Sequence, residues 1–127
     1  MGRVICFDIE TTGFEYLRGD RCIEIGAVEM IDGQITDNTF HEYINPEGKI
    51  IPPETYMVHK ISNAFLEDKP KMSVVAPKFL EFIGDAPLVA HKHLCNFFLR
   101  KVIVLTQIFY SQFLTYVFFS PFFQINQ

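Results

Sequence analysis

The dipeptide Asp32-Gly33 restricts the fold more than any other feature of the chain. It separates two runs, Cys22–Ile31 and residues 34–44, that alternate between apolar and polar side chains. Alternation at period two is the signature of a strand with one face packed. Asp-Gly at the junction favours the turn in which both central residues take positive φ, the tight connection of a β-hairpin. Cys22 and Glu24 then lie opposite Ile23 and Ile25, and Ile35, Phe40, Tyr43 and Ile44 anchor the returning strand. Upstream, residues 3–9 are rich in Val, Ile and Phe and read as a third strand. That strand is apolar on both faces, which predicts a central place covered from both sides. Together the three runs predict an antiparallel meander.

The rest of the first 91 residues reads as helices and one more strand. Asn45-Pro46-Glu47-Gly48 is a turn, and Pro52-Pro53 opens a short helix through Glu54 to His59. Ser73 is the expected N-cap of a longer helix, with Pro77 still inside its first turn. Val75, Phe79, Phe82 and Ile83 fall on one face of it, and Gly84 stops it. Residues 87–91 read as a short buried strand. The order β-β-β-α-α-β predicts an α/β fold, with helices flanking a mixed sheet.

Composition divides the chain in two. Residues 1–91 hold all 15 acids, all 7 glycines and eight of the 11 bases. Residues 92–127 hold Lys92, Arg100 and Lys101, no acid, and eight of the 14 phenylalanines. A net charge of −4 argues against binding nucleic acid by bulk charge alone. Three widely spaced cysteines, Cys6, Cys22 and Cys95, fit neither a disulfide framework nor a C-x-x-C metal site. An acid as early as Asp8 does not suit a signal peptide, and a reduced, cytoplasmic setting is expected.

The chemistry concentrates in Phe7-Asp8-Ile9-Glu10-Thr11-Thr12-Gly13. Asp8 and Glu10 are two apart on a strand, so both carboxylates point to one face. They repel each other unless a cation neutralises them, and oxygen-only ligation suits Mg²⁺ or Mn²⁺. The Thr-Thr-Gly that follows lets the backbone turn tightly and approach a ligand. Alone, an Asp-x-Glu pair is more often a solvated strand end; the apolar strand before it and the turn after it favour the metal reading.

These residues, with four later segments in the same order, resemble the 3′→5′ exonucleases that carry four carboxylates, Asp-Glu-Asp-Asp, and a histidine. Phe7 to Gly13 matches the family's first motif. Ile23-Glu24-Ile25-Gly26-Ala27-Val28-Glu29 and Phe40-His41-Glu42-Tyr43-Ile44-Asn45-Pro46 match its next two strands. Pro53-Glu54-Thr55-Tyr56-Met57-Val58-His59-Lys60-Ile61 resembles its P-E-x-x-x-V-H-G-I segment, with Lys60 where glycine is usual. Pro87-Leu88-Val89-Ala90-His91 resembles the strand leading to the second motif. Within the family the likeness is strongest to the epsilon proofreading type of bacterial DNA polymerase III. The resemblance implies a ribonuclease H-like mixed sheet, incomplete at its C-terminus, and two-metal hydrolysis at nucleic-acid 3′ ends. It implies Asp8 and Glu10 as catalytic metal ligands, and Thr11, Thr12, Gly13, Glu54 and His59 as contacts to the terminal nucleotide. The substrate it implies is a single-stranded DNA 3′ end, with RNA as the alternative polymer. The partners it implies are the polymerase III core subunits, with no membrane.

After residue 91 the pattern breaks. The family continues Asn-x-x-Phe-Asp; here the chain reads Lys92-His93-Leu94-Cys95-Asn96-Phe97-Phe98, with Asn96 in the place of the aspartate. The third motif, His-x-x-x-x-Asp, is absent, so at most one metal ion is expected to be held well and hydrolysis is expected to be impaired. His91 and His93 lack further ligands nearby. Residues 1–91 therefore read as the N-terminal part of an exonuclease domain, and 92–127 as a divergent tail, expected to be an out-of-frame product. Two alternatives remain at this point: a catalytically inactive remnant that binds nucleotide ends, and a small membrane-associated protein anchored through residues 102–119.

Overall fold

The computed structural model describes residues 2–15 and 18–90 of the chain. The proposed tail, its apolar stretch 102–119, His91, His93 and Asn96 lie outside these residues. Strand β1 (Arg3–Thr11) pairs antiparallel with β2 (Cys22–Ile31), which pairs antiparallel with β3 (Gln34–Tyr43). Asp32 and Gly33 make the β2–β3 turn with φ of 50° and 80°, both positive as their chemistry favours. Helices α1 (Pro53–His59), α2 (Asn63–Leu66) and α3 (Met72–Ile83) come next. The chain then returns as β4 (Leu88–Ala90), parallel to β1. The sheet order is β3-β2-β1-β4, so β1 is central and the sheet is mixed.

The alternation of β1 sorts its side chains. Ile5, Phe7 and Ile9 are buried, together with Ile25 and Ala27 of β2, against Val75, Phe79 and Ile83 of α3. Phe79 stacks at a tilt on Phe7 and Phe40, with ring centroids 6.0 and 5.3 Å apart. The intervening residues Val4 and Cys6 are half-buried and Asp8 is exposed. Among the described residues β1 is thus central but packed on one face, not both. A second cluster, Ile23, Ile51, Ile61 and Leu66 with Tyr43 against it, fastens α1 and α2 over one end of the sheet.

Two helical details differ from expectation. Helix α3 begins at Met72 with Lys71 as its cap, because Lys71 already bridges Asn45 and its carbonyl accepts the Val74 N–H. Pro77 therefore sits within the helix rather than in its first turn. Helix α2 has no counterpart among the expected elements; Ser62 caps it by accepting the Phe65 N–H at 3.1 Å. Among the described residues, no helix is long and apolar enough to cross a membrane.

Arg3 ties the far end of the sheet to α3. Its guanidinium donates to the Glu29 carboxylate and to the carbonyls of Phe82 and Ile83, which end the helix. Thr36 and Asn38 complete the cage around Glu29, and the Arg3 hydrogen bond leads the effects that hold this carboxyl below its usual range. Arg3→Met leaves Glu29 and two helix-end carbonyls without that donor. It is expected to lower unfolding free energy by about 2 kcal/mol in a urea titration.

Candidate active site

The open end of β1 collects the candidate residues. Asp8 and Glu10 occupy alternate positions on the face opposite α3, and Asp8 Oδ1 accepts the Ile9 N–H at 2.9 Å. Register places Glu24 of β2 directly across from Glu10. Burial, then the negative charges of Asp8 and Glu24, push the Glu10 carboxyl above its ordinary range. A divalent cation reverses that penalty, because the charged form then gains a partner. The donor set is all carboxylate oxygen, which fits a hard cation. The fit is that of two ligands from a larger set: among the described residues, no cluster of three or more His, Cys, Asp or Glu is arranged to hold an ion.

Beyond Glu10 the register shifts, so that Thr11 pairs with Cys22. Such an irregularity bends the strand and re-aims the residues beyond it. Thr11 Oγ1 donates to the Gly13 carbonyl at 2.8 Å. Thr12 is fully buried; its N–H goes to the Arg21 carbonyl, and its hydroxyl accepts the Arg21 N–H and donates to Asp20. Of the three residues in this turn only Gly13 is half-exposed, so only Gly13 reaches a ligand directly.

His59 closes the site from the end of α1. Lys60 caps that helix in the left-handed conformation, φ 61°, where glycine is the easier residue. The turn aims the Ile61 N–H at His59 Nδ1, 3.0 Å away. Nδ1 is therefore the acceptor and Nε2 carries the proton. Nε2 is buried with no hydrogen-bond partner, an orphan donor of the kind a bound group satisfies. Burial leads in lowering the pKa of His59, against the opposing pull of the Thr11 backbone and the Glu24 carboxylate. Glu54 does not join this group. It is exposed in the first turn of α1, and no hydrogen bond or ion pair among the described residues links it to β1.

Two residues at the site were not picked out from sequence. Glu24 is held by His41 at 2.7 Å and hydrogen-bonds Tyr43. Its alternation was visible; its pairing with Glu10 depends on the length of the loop between β1 and β2. Asp20 lies in that loop, in an Arg18-Gly19-Asp20 stretch with no local signal of a role.

Residues 5–119 match the family model described as exonuclease. The chain belongs to the exonuclease family. It is 48 % identical over 89 residues to DNA polymerase III subunit epsilon of Rickettsia conorii, a match covering 70 % of this chain and 38 % of that protein. The chain thus spans about two fifths of the length of such relatives. Among solved structures, exonuclease X in complex with 5′-overhanging duplex DNA is 30 % identical, with a TM-score of 0.63 over 76 % of this chain and 52 % of that one. The metal-free Escherichia coli ExoI–ssDNA complex shares the fold at 14 % identity and a TM-score of 0.74, covering 87 % of this chain and 25 % of that one. The described sheet and helices form a ribonuclease H-like exonuclease fold, and divalent metal use is general to the family.

Two measurements check the electrostatics. The raised pKa of Glu10 means that the folded chain keeps this proton to higher pH than the unfolded chain. Its ionisation therefore costs stability as pH rises from about 4.5 through the raised value. In metal-free buffer, Glu10→Gln is expected to melt like the wild type below pH 4.5 and a few degrees higher near neutral pH. For His59, ¹⁵N NMR near neutral pH is expected to show a neutral ring protonated at Nε2. A ring protonated at Nδ1 contradicts the Ile61 hydrogen bond.

Proposed function

We propose that this chain carries the N-terminal part of a 3′→5′ exonuclease domain of the proofreading type, acting at single-stranded DNA 3′ ends. One observation carries the reading. Asp8 and Glu10 stand on one open face at the point where β1 bends into the Gly13 turn, with the buried His59 ring against the Thr11 backbone at the same end of the strand. That is a site for a cation and a nucleotide end together.

Asp8 and Glu10 would hold the divalent ion, Mg²⁺ or Mn²⁺. When bound, such an ion neutralises the scissile phosphate and activates water for in-line attack. The protein's own contribution is placement. Gly13 offers backbone to the terminal nucleotide, with Thr11 and Thr12 holding it there. His59 Nε2–H donates to an oxygen of the sugar or phosphate, and its depressed pKa keeps the ring a neutral donor rather than a cation. Glu54, on the exposed side of α1, is assigned to the outer edge of the nucleotide site. Metal-borne charge lets an acidic chain meet the phosphates of DNA. The polymerase III core subunits are the partners this reading implies, and the cytoplasm is the compartment.

The test is a 3′-labelled single-stranded oligonucleotide incubated with the purified chain and Mg²⁺ or Mn²⁺. Weak, metal-dependent shortening from the 3′ end is expected, slower than that of an exonuclease with all four carboxylates, and Asp8→Ala is expected to slow it further by at least about a hundredfold. Absence of shortening at high protein concentration, or shortening indifferent to Asp8→Ala, overturns the reading.

A further inference from the structure

The loop between β1 and β2 contains a carboxylate placed unlike Asp8 and Glu10. Asp20 is buried, with 8 % of its surface exposed. One oxygen, Oδ1, accepts the Thr12 hydroxyl at 3.0 Å. The other, Oδ2, accepts the Glu15 N–H at 2.8 Å. Lys49 Nζ lies 3.5 Å from Oδ1 and also reaches the Arg18 carbonyl. Gly13 passes so close that an added Cβ would meet the Asp20 carboxylate at 2.5 to 2.9 Å. A side chain at 13 would displace this carboxylate, and both Thr12 and Glu15, on either side of half-exposed Gly13 and exposed Phe14, hang from it. Burial alone would raise the pKa of Asp20; the Glu15 and Thr12 hydrogen bonds and Lys49 outweigh it and hold the group ionised.

We propose that Asp20 is a positioning residue for the nucleotide site, its carboxylate clamping Thr12 and Glu15 so that the Gly13 backbone is presented at the end of β1. The proposal rests on the reading of the Gly13 turn as the nucleotide cradle. Asp20 touches no substrate. It acts by removing the alternative conformations of a turn that otherwise has glycine at its apex, so the turn is ordered before a nucleotide arrives.

A role in positioning differs from a role in stability by what it does to binding when the protein is fully folded. The experiment uses the full chain, a 5′-fluorescein single-stranded oligodeoxynucleotide with a free 3′-OH, Ca²⁺ as the divalent ion, and anisotropy at a temperature well below every variant's melting point. Asp20→Ala is expected to weaken binding on the order of tenfold. Asp20→Asn, which keeps one carbonyl acceptor for Thr12 but turns an amide donor toward the Glu15 N–H, is expected to recover part of that loss. Arg3→Met, at the opposite end of the sheet, is the control: it lowers the melting temperature and is expected to leave the affinity at the wild-type value. Should Asp20→Ala fail to fold, Asp20→Asn carries the comparison, with the Thr12, Gly13 and Glu15 amide resonances moving while those of the β2–β3 hairpin stay in place. Wild-type binding that both Asp20 variants retain in full overturns this proposal and leaves the cradle reading standing. So does a loss that Arg3→Met reproduces. A wild-type chain that does not bind the oligonucleotide overturns the cradle reading, and this proposal with it.

Discussion

The pairing of β1 with β2 is the constraint on which everything else in the molecule depends. Because side chains alternate along a strand, one register sends Ile5, Phe7 and Ile9 under α3 and leaves Asp8 and Glu10 on the opposite face. A slip by one residue would press both carboxylates against Phe79 and expose the isoleucines. Burying even one unpaired carboxylate costs more than several apolar contacts return. Core packing and the candidate site are thus two consequences of a single choice of register. Arg3 reinforces that choice at the far end, since its bonds to Glu29 and to the end of α3 require β1, β2 and the helix in one arrangement.

The site then arises where regular pairing fails. Up to Glu10 the β1–β2 ladder is regular; at Thr11 it shifts. Past Thr11 and the Thr12 N–H bond to the Arg21 carbonyl the ladder ends, and the chain depends on side chains for support. Thr12 buries its hydroxyl between Arg21 and Asp20, and the short helix α1 lays His59 against the same corner. Function at this corner needs backbone that is both irregular and held still, and the second requirement explains why so many hydrogen bonds converge on so few residues.

Much of this was legible in the sequence, for reasons that can be named. Asp32-Gly33 specified its turn because few residue pairs accept two positive φ values in succession. Period-two alternation gave β2 and β3, and the Asp8–Glu10 spacing gave one face, because both derive from strand geometry alone. What escaped required knowledge of pairs distant in sequence. Glu24 belongs beside Glu10 only once the β1–β2 loop has set the register. Asp20 is indistinguishable from a solvated loop acid until Thr12, Glu15 and Lys49 are brought around it. Helix α3 begins at Met72 rather than after Ser73 because the Asn45–Lys71 bridge, a tertiary contact, sets its start over the local appeal of Ser73 as a cap. The apolar character of β1 on both faces correctly implied a central strand, but Val4 and Cys6 are only half-buried among the described residues.

Asp20 and Glu10 show how a structural carboxylate and a functional one are told apart by their surroundings. They lie ten residues apart in one small motif, and Asp20 is the more buried by surface area. Burial alone would raise the pKa of both. Asp20 is nonetheless held ionised, because it has a backbone N–H, a hydroxyl and an ammonium group around it. Glu10 has no hydrogen-bond donor among the described residues and two carboxylates nearby, and its pKa rises. A protein selected only for stability would have given Glu10 a donor or replaced it. Leaving a half-buried acid beside two others makes sense where the missing positive charge arrives from outside. The Nε2–H of His59 at the same corner has the complementary character, a buried donor that makes no full hydrogen bond among the described residues, with the Thr11 backbone beside it. A metal cation and an oxygen-rich phosphate end are the pair of ligands that answers both.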